Sequence, residues 1–193
     1  MSVLPIYIYD QPILKQKADP VSDMNDEVRK LIADMFETMH RGDGIGLAAN
    51  QVGSPLAITV VDISDKDDER KKKKSSSETL VLVNPVIEFY SDEESEMEEG
   101  CLSLPGYRDY VTRPEAIQVR FLDEDMRERT LEADDLLARV IQHEVDHLNG
   151  KYFFERLSPL RRSLSQRKLR RIKNLEIDPD YPTFPSTLQR PTE

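Results

Sequence analysis

Gln142-His143-Glu144-Val145-Asp146-His147 stands near the end of a segment that reads as a helix, and the rest of the chain can be arranged around it. Asp134 or Asp135 can cap that helix, Leu148 is its last apolar residue, and Gly150 is its terminator. Residues four apart share a helical face, so the imidazoles of His143 and His147 can reach one cation. Glu144 lies beside them without being forced into the coordination shell, which is where a general base for a metal-held water must sit. The bland alternative is a helix with two surface histidines. Against it, the chain has 3 histidines in all, and two of them bracket a glutamate at ligand spacing.

A catalytic metal usually takes three protein ligands and a water, so a third ligand is needed. Downstream, Glu155 and Glu176 are available but have no distinctive context. Upstream stands Glu99-Gly100-Cys101-Leu102-Ser103, and Cys101 is the only cysteine of the chain. A thiolate suits iron(II), zinc or cobalt, although a lone cysteine is more often a small buried hydrophobe. A single cysteine also excludes an internal disulfide and fits a reducing cytoplasm.

Outward from the motif, Val28, Leu31, Ile32, Met35, Phe36 and Met39 form one apolar stripe and predict a helix over 25–40, capped by Ser22, Asp23 or Asn25 and stopped by Gly42. Strands are expected over 56–63, 79–89, 115–123 and 129–133, with Pro85 marking an edge or a bulge. The glycine- and alanine-rich stretch 42–53 has no usable periodicity. Residues 64–79 hold no apolar residue and read as a flexible hairpin loop, and the acidic stretch 91–99 reads mostly as a solvated turn. A third helix runs from Ser158, with Pro159 at its first position, to about Asn174. Elements not in strict alternation favour an α+β fold: antiparallel or mixed sheets packed around a central metal-binding helix, with a C-terminal helix. One catalytic domain is expected over 1–175, followed by an extended or disordered proline-containing tail over 176–193.

A net charge of −10 excludes a general nucleic-acid binder, so no DNA partner is expected. There is no run of about 18 apolar residues to span a membrane and no secretory-type start. The third helix reverses the sign locally, with Arg161, Arg162, Arg167, Lys168, Arg170, Arg171 and Lys173 and no acid among them.

Three separated segments together resemble the signature motifs of peptide deformylases of the bacterial type. Gly44-Ile45-Gly46-Leu47-Ala48-Ala49-Asn50-Gln51 resembles the G-x-G-x-A-A-x-Q of that family, Glu99 to Ser103 its E-G-C-x-S, and Gln142 to His147 its Q-H-E-x-D-H. All three match without departure and in the family's order, over roughly residues 5–175. The resemblance implies that Cys101, His143 and His147 bind one divalent metal. Iron(II) would be the native ion, with zinc, nickel or cobalt in purified protein. It implies that a hydroxide on that metal attacks the formyl carbon of N-formylmethionyl nascent peptides. Glu144 would be the general acid/base, and Gln51 and the Leu102 N–H the oxyanion donors. Gly46 would let the substrate backbone approach. Leu136 and Val140, on the His143 face of the helix, would wall a methionine pocket with Ile45 and Met97. Glu99 is expected at the substrate site, braced by Arg113, and Arg139 at the pocket mouth. In bacterial members a C-terminal helix contacts the ribosome, which implies the same for the basic helix 158–174. Two other readings stand beside this one: a zinc endopeptidase with Glu155 or Glu176 as third ligand, and a nonenzymatic ribosome-associated protein on an inactive scaffold.

Overall fold

The computed structural model describes residues 1–64 and 79–185. In chain order the elements are β1 (Ile6–Tyr7), α1 (Asp26–Arg41), β2 (Gly46–Ala48), β3 (Ile58–Asp62), β4 (Thr79–Tyr90), β5 (Glu94–Gly100), β6 (Arg108–Pro114), β7 (Ala116–Leu122), β8 (Glu128–Asp134), α2 (Asp135–Leu148), α3 (Pro159–Lys173) and β9 (Thr183–Phe184). Short 3-10 turns at Pro12–Lys15, Ala49–Val52 and Phe153–Arg156 join them. The fold is α+β, as the unalternating order of elements predicts.

Five strands form one antiparallel sheet in the order β2-β3-β4-β7-β8. Successive residues of β3 point to opposite faces. Ile58 and Val60 pack with Met35 and Met39 of α1, whereas Val61 packs with Ala138 and Ile141 of α2. The two helices therefore cover opposite faces of the sheet. The Asn25 side chain caps α1 by accepting from the Val28 N–H at 3.0 Å. Asp134 is the N-cap of α2, but its carboxylate makes no capping hydrogen bond. Gly150, with φ of 70°, follows the C-cap Asn149, a left-handed position that glycine takes without strain.

Helix α2 is central: every residue from Leu137 to Leu148 is buried. One side meets the five-stranded sheet. Beyond the other, Tyr152, Phe153 and Phe154 open a second core with Tyr107, Leu169 and Ile172, on which α3 is seated. Pro85 lies at a break in register between Val83 and Val86 of the interior strand β4, so it marks a bulge and not an edge.

The acidic stretch corrects the expectation of a turn. Residues 94–100 form β5, paired antiparallel with β6 from Glu94↔Pro114 to Gly100↔Arg108. Glu94, Glu96 and Glu98 are exposed while Ser95, Met97 and Glu99 turn inward. The period of two is present, but polar residues occupy both faces, so no hydropathy alternation reveals it. The loop expected over 64–79 lies, for residues 65–78, outside the described residues, as does the tail from 186 onward. Before that point the chain is ordered into β9, which pairs in parallel with β1. Among the described residues no helix is long and apolar enough to cross a membrane.

Candidate active site

Helix α2 presents His143 and His147 one turn apart, with their Nε2 atoms 3.2 Å from each other. Strand β5 ends at Gly100 and delivers Cys101, whose Sγ lies 3.1 Å from His147 Nε2. The three donor atoms fall within 4.8 Å of one another, and among the described residues they are the only such trio. Donors held tetrahedrally at about 2.0–2.3 Å from one ion would be about 3.3–3.8 Å apart, so the trio fits a single divalent cation of the borderline or soft kind. Glu155 and Glu176 stand elsewhere: Glu155 pairs with Lys15, and Glu176 with Arg171 and Asn174. The endopeptidase reading has no third ligand from either.

The surroundings set the protonation of these donors. His143 Nδ1 lies 2.8 Å from Glu99 Oε2, which leaves Nε2 to face the other donors. Burial, and then His143 beside it, push the His147 pKa well below its ordinary value, so its imidazole is neutral. Burial would raise the Glu99 carboxyl, but the Arg113 guanidinium and His143 hold it far below the usual carboxylate range. Arg113 is fully buried. It donates to Glu99 at 2.6 and 2.8 Å and to Asp146 at 2.7 Å, and Arg156 closes on Asp146 at 2.6 and 2.7 Å. Arg113 thus ties the segment before Cys101 to the residue before His147.

Glu144 is buried, and its Oε2 has no hydrogen-bond partner among the described residues. Burial foremost raises its pKa to about 7. A Cβ added to Gly46 would lie 2.5 Å from Glu144 Oε1 and 2.7 Å from Val140 Cγ1, so β2 approaches the carboxyl as closely as a bare backbone can. The 3-10 turn after β2 supplies Gln51. Its Oε1 accepts from the Ala48 N–H at 2.9 Å, which turns Nε2 toward Ser103 Oγ at 3.2 Å and Cys101 Sγ at 3.5 Å. The Leu102 N–H donates to no acceptor among the described residues.

A cavity of about 500 Å³ opens over this group. Ile45, Gly46, Gln51, Glu99, Leu102, Leu136 and Val140 line it together with Cys101, His143 and Glu144. Met97 is not among its walls: it is half-buried two residues before Glu99, opposite Val111. Arg139 lines the cavity as expected, but it is buried, with its Nη1 and Nη2 donating to Glu99 Oε1, the Val111 carbonyl and Ser95. Arg108 is an exposed cation on the same cavity. Sequence reasoning missed Arg108, Arg156 and Tyr181, which also lines the cavity, and gave Asp146 of the Q-H-E-x-D-H segment no role. Arg108, Arg156 and Tyr181 have no local signal, because long-range packing brings each one there.

The family model described as polypeptide deformylase matches residues 3–163. A peptide deformylase of Salinibacter ruber is 43% identical over 93% of this chain and 93% of its own length. One of Rickettsia akari is 46% identical over 90% of this chain and 98% of its own. The crystal structure of the peptide deformylase from Ehrlichia chaffeensis superposes with a TM-score of 0.78 at 38% identity, covering 91% of this chain and 98% of that one. The same enzyme in complex with actinonin gives 0.79 over 89% and 98%.

Proposed function

The chain belongs to the polypeptide deformylase family, and from that membership we propose that it hydrolyses the formyl group of N-formylmethionyl nascent peptides and releases formate. The observation that carries the reading is the buried carboxyl of Glu144, whose Oε2 has no hydrogen-bond partner among the described residues, beside the trio Cys101, His143 and His147. Cys101, His143 and His147 would hold a divalent ion, which when bound would supply Lewis acidity toward the formyl oxygen and lower the pKa of water toward neutrality. Iron(II) is the proposed native ion, and zinc, nickel and cobalt suit the same donors.

The chain's own groups do the rest. With its pKa near 7, Glu144 accepts a proton from the attacking water and delivers it to the departing amine nitrogen. The water oxygen bonds to the formyl carbon, the carbon–nitrogen bond breaks, and formate and a free methionine amine result. Gln51 Nε2 and the Leu102 N–H meet the negative charge that develops on the formyl oxygen. Gly46 admits the substrate backbone next to Glu144, and Ile45, Leu136 and Val140 offer apolar walls to the methionine side chain. Glu99 contributes through His143, whose ring it orients.

In the basic helix α3, Arg161 pairs with Asp109, Arg171 with Glu176 and Lys173 with Asp10. Arg162, Arg167 and Arg170 have no ion pair among the described residues, and these three are the proposed salt-sensitive contact with the ribosome in the cytoplasm. Formate release from formyl-Met-Ala-Ser by protein prepared without oxygen tests the reading. Wild type should turn over, and Cys101→Ala should lose both metal and activity. Absence of turnover by the metal-loaded wild type, or full metal retention by Cys101→Ala, would reject it. Actinonin, bound in the Ehrlichia chaffeensis structure, should compete with the substrate.

A further inference from the structure

The chemistry above uses Gln51 but not the residue before it. Asn50 is buried in the 3-10 turn Ala49–Val52, and its side chain leaves that turn for α2: Nδ2 donates to the His147 carbonyl at 2.5 Å. That carbonyl belongs to the last turn of α2, where intrahelical donors run out. The Gly150 N–H reaches it at 3.0 Å, and Asn50 takes the remaining lone pair. His147 thus carries a donor of the metal trio on its ring and the anchor of Asn50 on its backbone. Asn50 Oδ1 has no hydrogen-bond partner among the described residues. A buried acceptor left in that way costs stability, which an apolar side chain of the same shape would avoid.

The Gln51 amide and this turn move as one body. Gln51 Oε1 accepts from the Ala48 N–H at 2.9 Å, so the side chain is folded against its own turn. The Gly53 and Ser54 N–H groups close the turn on the Asn50 and Ala49 carbonyls at 3.2 and 3.0 Å. Whatever fixes the turn therefore fixes Gln51 Nε2. From the cysteine segment, Ser103 Oγ accepts from Nε2 at 3.2 Å. From the helix side, Asn50 ties the turn to the residue that presents one of the three donors. Nε2 itself stands 3.5 Å from Cys101 Sγ, at the edge of that trio.

We propose that Asn50 is a positioning residue of the active site: by tying the Ala49–Val52 turn to the His147 carbonyl it sets the place of Gln51 Nε2 relative to the metal trio. This rests on the deformylase reading, in which Nε2 stabilises the oxyanion. A donor out of place meets the developing charge poorly while ground-state binding is little changed, so the effect belongs in kcat.

Asn50→Leu keeps the size of the side chain and removes the donor. In the full-length, zinc-loaded protein, amide hydrogen exchange at Gly53 and Ser54 should quicken about tenfold, with zinc content and exchange in the sheet as in wild type. With formyl-Met-Ala-Ser, kcat should fall about tenfold, less than the 10²–10³ for outright loss of a donor, and KM should change by less than about twofold. In a Gln51→Ala background the same substitution should lower kcat by less than about twofold, because the group it positions is gone. Equal falls in both backgrounds, zinc lost in parallel, unchanged exchange at Gly53 and Ser54, or an unchanged kcat each overturns the proposal. Asn50→Ala goes through the same cycle if leucine prevents folding, and failure of both to fold makes Asn50 a structural residue and overturns it too. A wild type that releases no formate would instead defeat the functional reading, while the exchange comparison still decides whether Asn50 holds the turn.

Discussion

Arg113 and Glu99 form a buried two-pronged pair, Nε to Oε1 at 2.6 Å and Nη2 to Oε2 at 2.8 Å, and the remaining Arg113 nitrogen reaches Asp146 at 2.7 Å. One guanidinium thereby braces the strand end that presents Cys101 and the helix turn that presents His147. Arg113→Ala leaves two carboxylates buried with less compensation, and breaking a buried ion pair in this way costs about 3–5 kcal/mol. Urea unfolding should show a loss of that order. Metal content after gel filtration should fall below one equivalent. Wild-type stability and metal retention would contradict the brace.

Glu144→Gln keeps shape and burial but removes the proton carrier. The expected loss in kcat is about 10²–10⁴-fold, with metal content unchanged because Glu144 is not one of the three donors. Formate release and metal analysis on the same preparation check both halves, and activity within tenfold of wild type would remove Glu144 from the chemistry.

Gly46→Ala would set a methyl 2.5 Å from Glu144 Oε1 and 2.7 Å from Val140 Cγ1. The carboxyl must move, and misplacing a reacting group by about 1 Å can cost on the order of 10² in rate. We expect kcat/KM to fall by at least that much while the far-ultraviolet circular dichroism spectrum is preserved. Near-normal turnover would show that the strand can yield.

Asp34 is not among the cavity walls and ties the N-terminal segment to α1. The Lys30 ammonium foremost holds its carboxyl below the ordinary 3.8; burial opposes this, and the Ser2 N–H at 2.7 Å adds to it. The folded pKa is thus lower than the unfolded one. The stabilisation is fully present above the ordinary value and is lost as pH falls through the folded one. Unfolding midpoints of wild type and Asp34→Asn should therefore differ at pH 7 and converge below pH 3.8. A gap that does not narrow on acidification would refute this.

Helices α1, α2 and α3 and strands β3, β4, β7 and β8 were legible because hydrophobic period, caps and terminators agreed along each of them. Strand β2 was not, since Gly46-Leu47-Ala48 is too short and too small-chained to carry a period. Strand β5 was hidden by its charges. His143 and His147 could be singled out by helical ligand spacing, and Cys101, one candidate among several as the sole cysteine, by the resemblance of Glu99 to Ser103 to the family's E-G-C-x-S. The brace of Arg113 on Glu99 was expected as well, and its two-pronged pair is present. Arg139 and Arg156 look like ordinary surface cations until tertiary packing buries the first and sets the second on Asp146. A buried guanidinium is a property of the fold and leaves no trace in the local pattern.

The pairing of Ile6 and Tyr7 with Thr183 and Phe184 also orders events during synthesis. Strand β1 has no partner until residues 183 and 184 have been made, so a ribosome-tethered chain short of residue 184 keeps that edge open. This closure is thus gated by elongation itself: it waits on a stretch of chain synthesised long after the strand it pairs with.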